Sequence, residues 1–326
     1  MARKIEISHR TIIFIAVFGV FLWLLFQIRQ IILALFVAVI LMSSLNPSIE
    51  RLEKKKIPRW LAITLIYLLV FLFLCFAVGG LIPPLLEQTS NLINRIPEFF
   101  RQFSFLGIDE KIIAGQLSGL TLVPANIFKF VAGIFSNIVG IFALGIITFY
   151  LLLERKSLDR YLTVLFGGDK EKQTEKVIDR IENRLGNWVR GQFFLMVIVG
   201  VLNYIGFRII GISFALPLAI LAFLFEIIPN IGPTAAAFPA ILIGLTVSPY
   251  HALATAGWCF LVQQVENSIL VPRIMKQVAG VNPLVSILSL AVGFKIAGIG
   301  GAILAIPTFI VLEVVVGIIY SSKKNG

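Results

Sequence analysis

The chain predicts an all-α, polytopic membrane protein with about eight membrane-embedded segments, six full spans and two Pro/Gly-broken hairpins. Three observations carry that expectation. Of its 326 residues 58% are hydrophobic and 14% charged, whereas a soluble domain is about 45–50% apolar and about 25% charged. Several apolar runs reach the ~20 residues that a helix needs to cross a hydrocarbon core. Two apolar runs in the last third, 217–247 and 283–319, are each broken in the middle by residues that stop helices.

Taken in order, residues 1–326 read as a single transporter domain. Basic residues Arg3, Lys4 and Arg10 precede apolar residues 11–26, and Gln27-Ile28-Arg29-Gln30 offers no small-residue cleavage site. A second apolar run follows at once, so 11–45 reads as a tight N-terminal helical hairpin rather than a secretory signal. The loop 46–60 holds Arg51, Lys54, Lys55, Lys56 and Arg59, which places it and both chain termini on the cytoplasmic side. A third span covers 61–82. Residues 83–129 carry few basic residues and recurrent Leu, Ile and Phe near helical spacing, as in amphipathic helices resting on the external interface. A fourth span, 130–153, returns to the basic segment 154–192. There Val177, Ile178, Ile181 and Leu185 alternate with charged residues to give a cytoplasmic amphipathic helix. The net charge of +11 is confined largely to such short loops, which indicates topology and contact with anionic lipid rather than nucleic acid.

The transport core is expected in 193–320. The first broken run stops at Pro229-Asn230-Ile231-Gly232-Pro233 and the second at Ala297-Gly298-Ile299-Gly300-Gly301. Pro229, Gly232, Pro233, Gly298, Gly300 and Gly301 are the candidate hinge or half-helix residues. The arms 217–230 and 234–247 would each be about 21 Å long, short of the ~30 Å core, so re-entrance is favoured over two full spans. Loop charge does not separate the two, because either leaves the topology unchanged. Paired interrupted segments point to a transport site at the bilayer midplane.

After residue 192 the acidic residues are Glu226, Glu266 and Glu313, all in apolar surroundings. An ionised group there costs about 2.5–3.5 kcal/mol or more, so such residues are functional or paired. Glu226 precedes the first break and is a candidate to ligate a cation or carry a proton; the alternative is an ion pair with Arg208 or Lys295. Gln263, Glu266 and Asn267 stand at i, i+3 and i+4 on one predicted helix face. With Asn230, that face is the candidate substrate and ion site; the alternative is interhelical hydrogen bonding. Glu313 lies near a basic C-terminus and is expected to snorkel or pair there. Asn203 is a weaker candidate.

No metal-ligand spacing, Gly-x-Ser-x-Gly elbow or phosphate-binding loop occurs. The sequence therefore predicts no enzyme, metal site or cofactor. The two cysteines, Cys75 and Cys259, both lie in apolar runs.

Five ordered motifs carry a resemblance. They are Trp188-Val189-Arg190-Gly191-Gln192, residues 226–233, Gln263-Gln264-Val265-Glu266-Asn267 with Pro272-Arg273-Ile274-Met275, Asn282-Pro283-Leu284, and residues 298–307. In order and spacing the chain resembles the autoinducer-2 exporter family of bacterial membrane transporters, from about residue 10 to residue 320. The resemblance implies a homo-oligomer, a pentamer in members, in the bacterial inner (plasma) membrane. It implies export of a small polar solute like the quorum-sensing signal autoinducer-2; the expected partners are lipid, that solute and, from the intramembrane carboxylates, a coupling Na+ or H+, with no nucleic acid. The alternatives are a sodium(lithium)/proton antiporter and, from another class, a membrane scaffold or channel.

Overall fold

A computed structural model describes residues 9–73, positions 75, 79, 83 and 87, and residues 138–166, 169–212, 214–229, 231–275 and 283–324. The expected external segment 83–129, the end of the third span and the start of the fourth lie largely outside the described residues, as do Asn230, Lys276 and Asn282. Among the described residues every regular element is helical. The helices are α1 (His9–Gln27), α2 (Arg29–Glu53), α3 (Arg59–Phe73), α4 (Ile138–Phe166), α5 (Asp169–Ile210), α6 (Ala215–Phe225), α7 (Ile231–Val247) and α8 (Pro249–Val265). A π-helical turn (Glu266–Leu270), α9 (Val271–Ile274) and α10 (Pro283–Lys324) complete the chain.

By length and composition three described helical stretches suffice to cross a membrane: Arg29–Glu53, Glu175–Ile210 and Leu284–Gly317. The long apolar side chains of α1, such as Phe14, Trp23 and Phe26, are exposed on all sides of the helix, which suits a helix surrounded by lipid.

The N-terminal pair departs from the expected tight hairpin. Only Ile28 separates α1 from α2, at φ −91° and ψ 8°, and Ile28 N–H still donates to Leu24 O while Ile32 N–H donates to Ile28 O, both at 3.0 Å. One residue near helical dihedrals does not reverse a chain, so α2 continues from α1 across a break. The second span also overruns its expected end at Leu45, passing through Pro47 to Glu53. The basic segment 154–192 is likewise not a separate helix. It is the shared end of α4 and of α5, a helix of 42 residues, about 63 Å long.

At that end the charges pair across elements. Arg155 on α4 meets Asp179 and Glu182 on α5, both at 2.7 Å. Arg59 donates to Glu53 at 2.9 Å and to the Leu152 carbonyl at 2.7 Å. Arg190 on α5 donates to the Ser43 and Ser44 carbonyls of α2 at 3.3 and 3.0 Å, and a Cβ on Gly186 would overlap the Ser43 carbonyl. These two helices are therefore in backbone contact.

Both broken runs are hairpins. In the first, α6 and α7 hold 11 and 17 residues, about 16 and 25 Å, each shorter than the ~30 Å core. The break begins at Glu226, directly after α6, a turn earlier than the expected 229–233. Pro229 ends the run because it has no N–H to donate, whereas Pro233 is tolerated in the first turn of α7, where that N–H has no partner in any case. Gly232 belongs to that same turn; a Cβ there would overlap the Phe225 carbonyl. In the second, non-helical dihedrals are confined to Ala297 and Gly298, so 283–296 and 299–324 are two arms, and Gly300 and Gly301 sit within the second.

The two hairpins enter from opposite ends of α5. The base of the first packs against Phe207 and Ile212, while its tip reaches back to Gln192. The outer arm of the second pairs Glu313 with Arg184 at 2.9 Å and packs Ile306 and Ile310 against Leu185, Trp188 and Leu195. Its residues 302–305 lie further along, where they receive Ile228 from the tip of the first hairpin.

Candidate functional site

Ser248 and Pro249 start the helix that carries the polar residues. Ser248 is the N-cap of α8, its hydroxyl accepting from His251 N–H at 3.2 Å, with Pro249 in the first turn. Trp258 then fixes α8 to α5. Its indole N–H donates to the Leu202 carbonyl at 3.2 Å, and its ring occupies the space where Gly206 lacks a side chain.

At Glu266 the helix widens. Val271 N–H donates to Glu266 O, five residues back, which is a π-helical turn, a feature frequent at functional sites. The expected stripe of Gln263, Glu266 and Asn267 is only partly covered, because Val262 and Glu266 centre the buried face and Asn267 lies about 100° round the helix from Glu266. Glu266 is buried, Gln263 is half-buried, and Gln264 and Asn267 are exposed.

Glu226, the C-cap of α6, is fully buried and interacts directly with Glu266. The first hairpin's tip thus brings together two carboxyls forty residues apart in the chain. Gln192 of α5 completes the group. It is buried, and its Nε2 donates to the Glu226 backbone carbonyl at 2.6 Å, a carbonyl at the C-terminal end of α6.

Among the described residues no basic side chain pairs with either carboxylate. Both Glu226 carboxylate oxygens and Glu266 Oε2 are buried without a hydrogen-bond partner. Arg208 and Lys295, the cations considered for Glu226, are both exposed. Ionised carboxylates only accept, so contact between two of them becomes a hydrogen bond only with a proton between them.

A small cleft lies beside this group, between α5, the first hairpin and α8. Asn203, Phe207, Pro233, Cys259 and Gln263 line it. Asn203 Nδ2 donates to Val199 O at 2.9 Å, leaving its buried Oδ1 without a partner.

Gln192 is the residue that sequence reasoning left out of the site. It opens the apolar run Phe193-Phe194-Leu195 and so reads as a span boundary; its burial follows from the first hairpin folding back along α5. Its place directly after Gly191 in a quoted motif was the one available signal.

The model of the AI-2E family transporter matches residues 12–321. The chain belongs to the AI-2E transporter family. Its relatives include YueF of Bacillus subtilis (strain 168), provisionally named a transport protein, 30% identical over 300 residues that cover 85% of this chain and 81% of YueF. The AI-2 transport protein TqsA of Escherichia coli (strain K12) is 27% identical over 296 residues, covering 87% of this chain and 83% of TqsA. A protein of Thermotoga maritima, also provisionally named for transport, is 21% identical and covers 96% of this chain and 95% of its own length. The resemblance that the ordered motifs carry is therefore shown: this AI-2E family member is a transporter homologue whose described part is all-helical, with helices apolar enough for a membrane.

Proposed function

We propose that the chain is an ion-coupled secondary transporter of the bacterial inner membrane that exports a small polar solute of the autoinducer-2 type. The observation that carries this reading is the buried Glu226–Glu266 pair, without a basic partner among the described residues, where two oppositely entering broken hairpins meet. Two carboxylates in an apolar interior are costly unless a proton or cation accompanies them. A site whose charge is completed only by a mobile ion suits coupling. The adjacent cleft with Asn203 and Gln263 has room for about one water, so a neutral solute would reach these polar groups only after the first hairpin and α8 move apart.

The same pair favours a second reading, sodium(lithium)/proton exchange, in which the ions are the whole cargo. Exposed apolar faces on α1 suit lipid and, in a homo-oligomer, neighbouring copies.

Proteoliposome efflux of a labelled autoinducer-like polyol, with and without Na+ and pH gradients, tests the proposal. Saturation and counterflow are the expected results. Flux that stays linear in solute and shows no counterflow would replace the carrier with a channel. Cation-driven proton movement without any solute flux would leave the exchanger reading.

A further inference from the structure

We infer that Arg51, Lys54, Lys55 and Lys56, at the turn between α2 and α3, bind the headgroup of an anionic phospholipid whose chains lie along the outer face of α3. The inference goes beyond the transport reading and requires only that the apolar helices sit in a bilayer. Charges at this turn are sorted by face. Asn46, Glu50 and Glu53 share one side: Asn46 Nδ2 donates to Glu50 Oε1 at 2.8 Å, and Glu53 takes Arg59 at 2.9 Å and Lys156 at 3.0 Å. Arg51, Lys54 and Lys55, at i, i+3 and i+4, share another. Both acids are thus already occupied. Arg51, Lys54, Lys55 and Lys56 are all exposed, and none of them forms an ion pair among the described residues.

The backbone adds a second observation. Ile57 N–H donates to Leu52 O at 3.3 Å and Lys56 N–H to Glu53 O at 2.8 Å, the paired bonds of a Schellman turn, whose left-handed residue is usually glycine. Here that residue is Lys56, at φ +68°, the one non-glycine residue with positive φ among the described residues. A side chain in that conformation is strained, and glycine would relieve it. The helix dipole favours cations near the C-terminal end of α2, which accounts for Lys54 and Lys55 and not for a lysine in the left-handed position. Arg51 also stands near Arg190 of α5, a like charge. The Arg190 guanidinium is held by neutral acceptors, the Ser43 and Ser44 carbonyls and Asn187 Oδ1, so an anion beside Arg51 would offset that repulsion.

The outer face of α3 says what such an anion is attached to. Trp60, Thr64, Leu68 and Phe71 run along one side of that helix and are all exposed. Exposed Leu and Phe suit acyl chains, and a Trp at the start of such a face marks the headgroup level. The basic turn lies just beyond Trp60 in the chain. A phospholipid phosphate accepts from ammonium and guanidinium donors, and each such cation near an anionic lipid surface is worth about five-fold in affinity. Free phosphate would use the cations and leave the apolar face of α3 without an occupant, so the phospholipid fits both.

Thermal unfolding of the purified full-length protein in detergent, titrated with phosphatidylglycerol, phosphatidylcholine or inorganic phosphate, tests the site. Phosphatidylglycerol should raise the midpoint saturably, and less so at high salt. The zwitterionic lipid and inorganic phosphate should not raise it. Arg51→Gln combined with Lys55→Gln should weaken phosphatidylglycerol about 20-fold. Lys176→Gln combined with Arg180→Gln, an exposed i, i+4 pair on α5, removes the same charge and should leave the affinity unchanged. Lys56→Gly separates binding from folding. Its lipid-free midpoint should hold or rise as the strain is removed, while its affinity for phosphatidylglycerol falls about five-fold. No rise with phosphatidylglycerol, an equal rise with phosphatidylcholine or inorganic phosphate, equal losses in the two paired variants, or native affinity in Lys56→Gly would overturn the assignment. No gradient or transported solute is present, so this result and the efflux result stand independently.

Discussion

The backbones of Gly293 and Gly301 lie in contact: a Cβ on either residue would overlap the carbonyl of the other. In a continuous helix, residues eight apart are separated by about 12 Å. The contact therefore exists only because the chain reverses at Ala297 and Gly298, where φ of Gly298 is +60°. The first hairpin shows the same device, with Gly232 against the Phe225 carbonyl.

The glycines should separate by mechanism. Gly293→Ala, Gly301→Ala and Gly232→Ala force backbones apart and should each cost about 1–3 kcal/mol. Gly298→Ala has open space around it but the wrong dihedrals for a side chain, at about 1–3 kcal/mol. Gly300→Ala, with open space in a helical arm, should be neutral or stabilising by about 0.5–1 kcal/mol. Thermal unfolding in detergent measures the series, and a Gly300→Ala as damaging as Gly301→Ala would contradict it.

Glu226→Gln and Glu266→Gln should reduce ion-coupled flux about ten-fold or more while the thermal midpoint holds or rises. The reason is that an ionised, unpaired carboxylate costs several kcal/mol to bury and a neutral amide of the same shape costs less. Parallel flux and unfolding measurements decide the matter. Loss of both together would identify the carboxyls as structural.

Arg190→Lys should lower stability by about 1–3 kcal/mol, because one ammonium does not reproduce a fork reaching two carbonyls and a side-chain amide. The guanidinium joins α5 to α2 and does not reach the acidic pair. The expected signature is a reduced unfolding midpoint with an unaltered apparent affinity for the transported solute; a change in that affinity would place Arg190 in the pathway.

Cys259 gives a direct report on the cleft. The chain has two cysteines, Cys75 and Cys259, so in a Cys75→Ser background a small thiol reagent has one target. Cys259 shares the cleft lining with Asn203 and Gln263. A bound solute should slow its modification, measured by mass spectrometry. Equal rates with and without saturating solute would move the solute site elsewhere.

Much of the candidate site was legible because membranes make polar residues conspicuous. Glu226, Gln263 and Glu266 stand out among Leu, Ile and Phe, and an intramembrane carboxylate needs a reason to be there. The alternative of pairing with Arg208 or Lys295 rested on counting cations along the chain, and the structure leaves both exposed. Asn267 was grouped with Glu266 as one polar face, but adjacent helical residues point about 100° apart and only Glu266 falls on the covered side. The Pro and Gly positions announced two breaks but not their register. Whether a proline ends one helix or opens the next depends on which N–H groups are already without partners.

By itself the sequence determined the solvent, the helical class, the two interrupted segments and the family, because each is written in local composition, spacing and motif order. Only the tertiary structure decided that the tip of the first hairpin meets the second beside α5 and that Gln192 joins the two acids. Those outcomes depend on contacts between residues far apart in sequence, such as Ile228 on the cluster of Leu290, Ala302 and Ala305 and Gln192 on Glu226. Periodicity along one segment carries no information about which distant segment will cover its polar face.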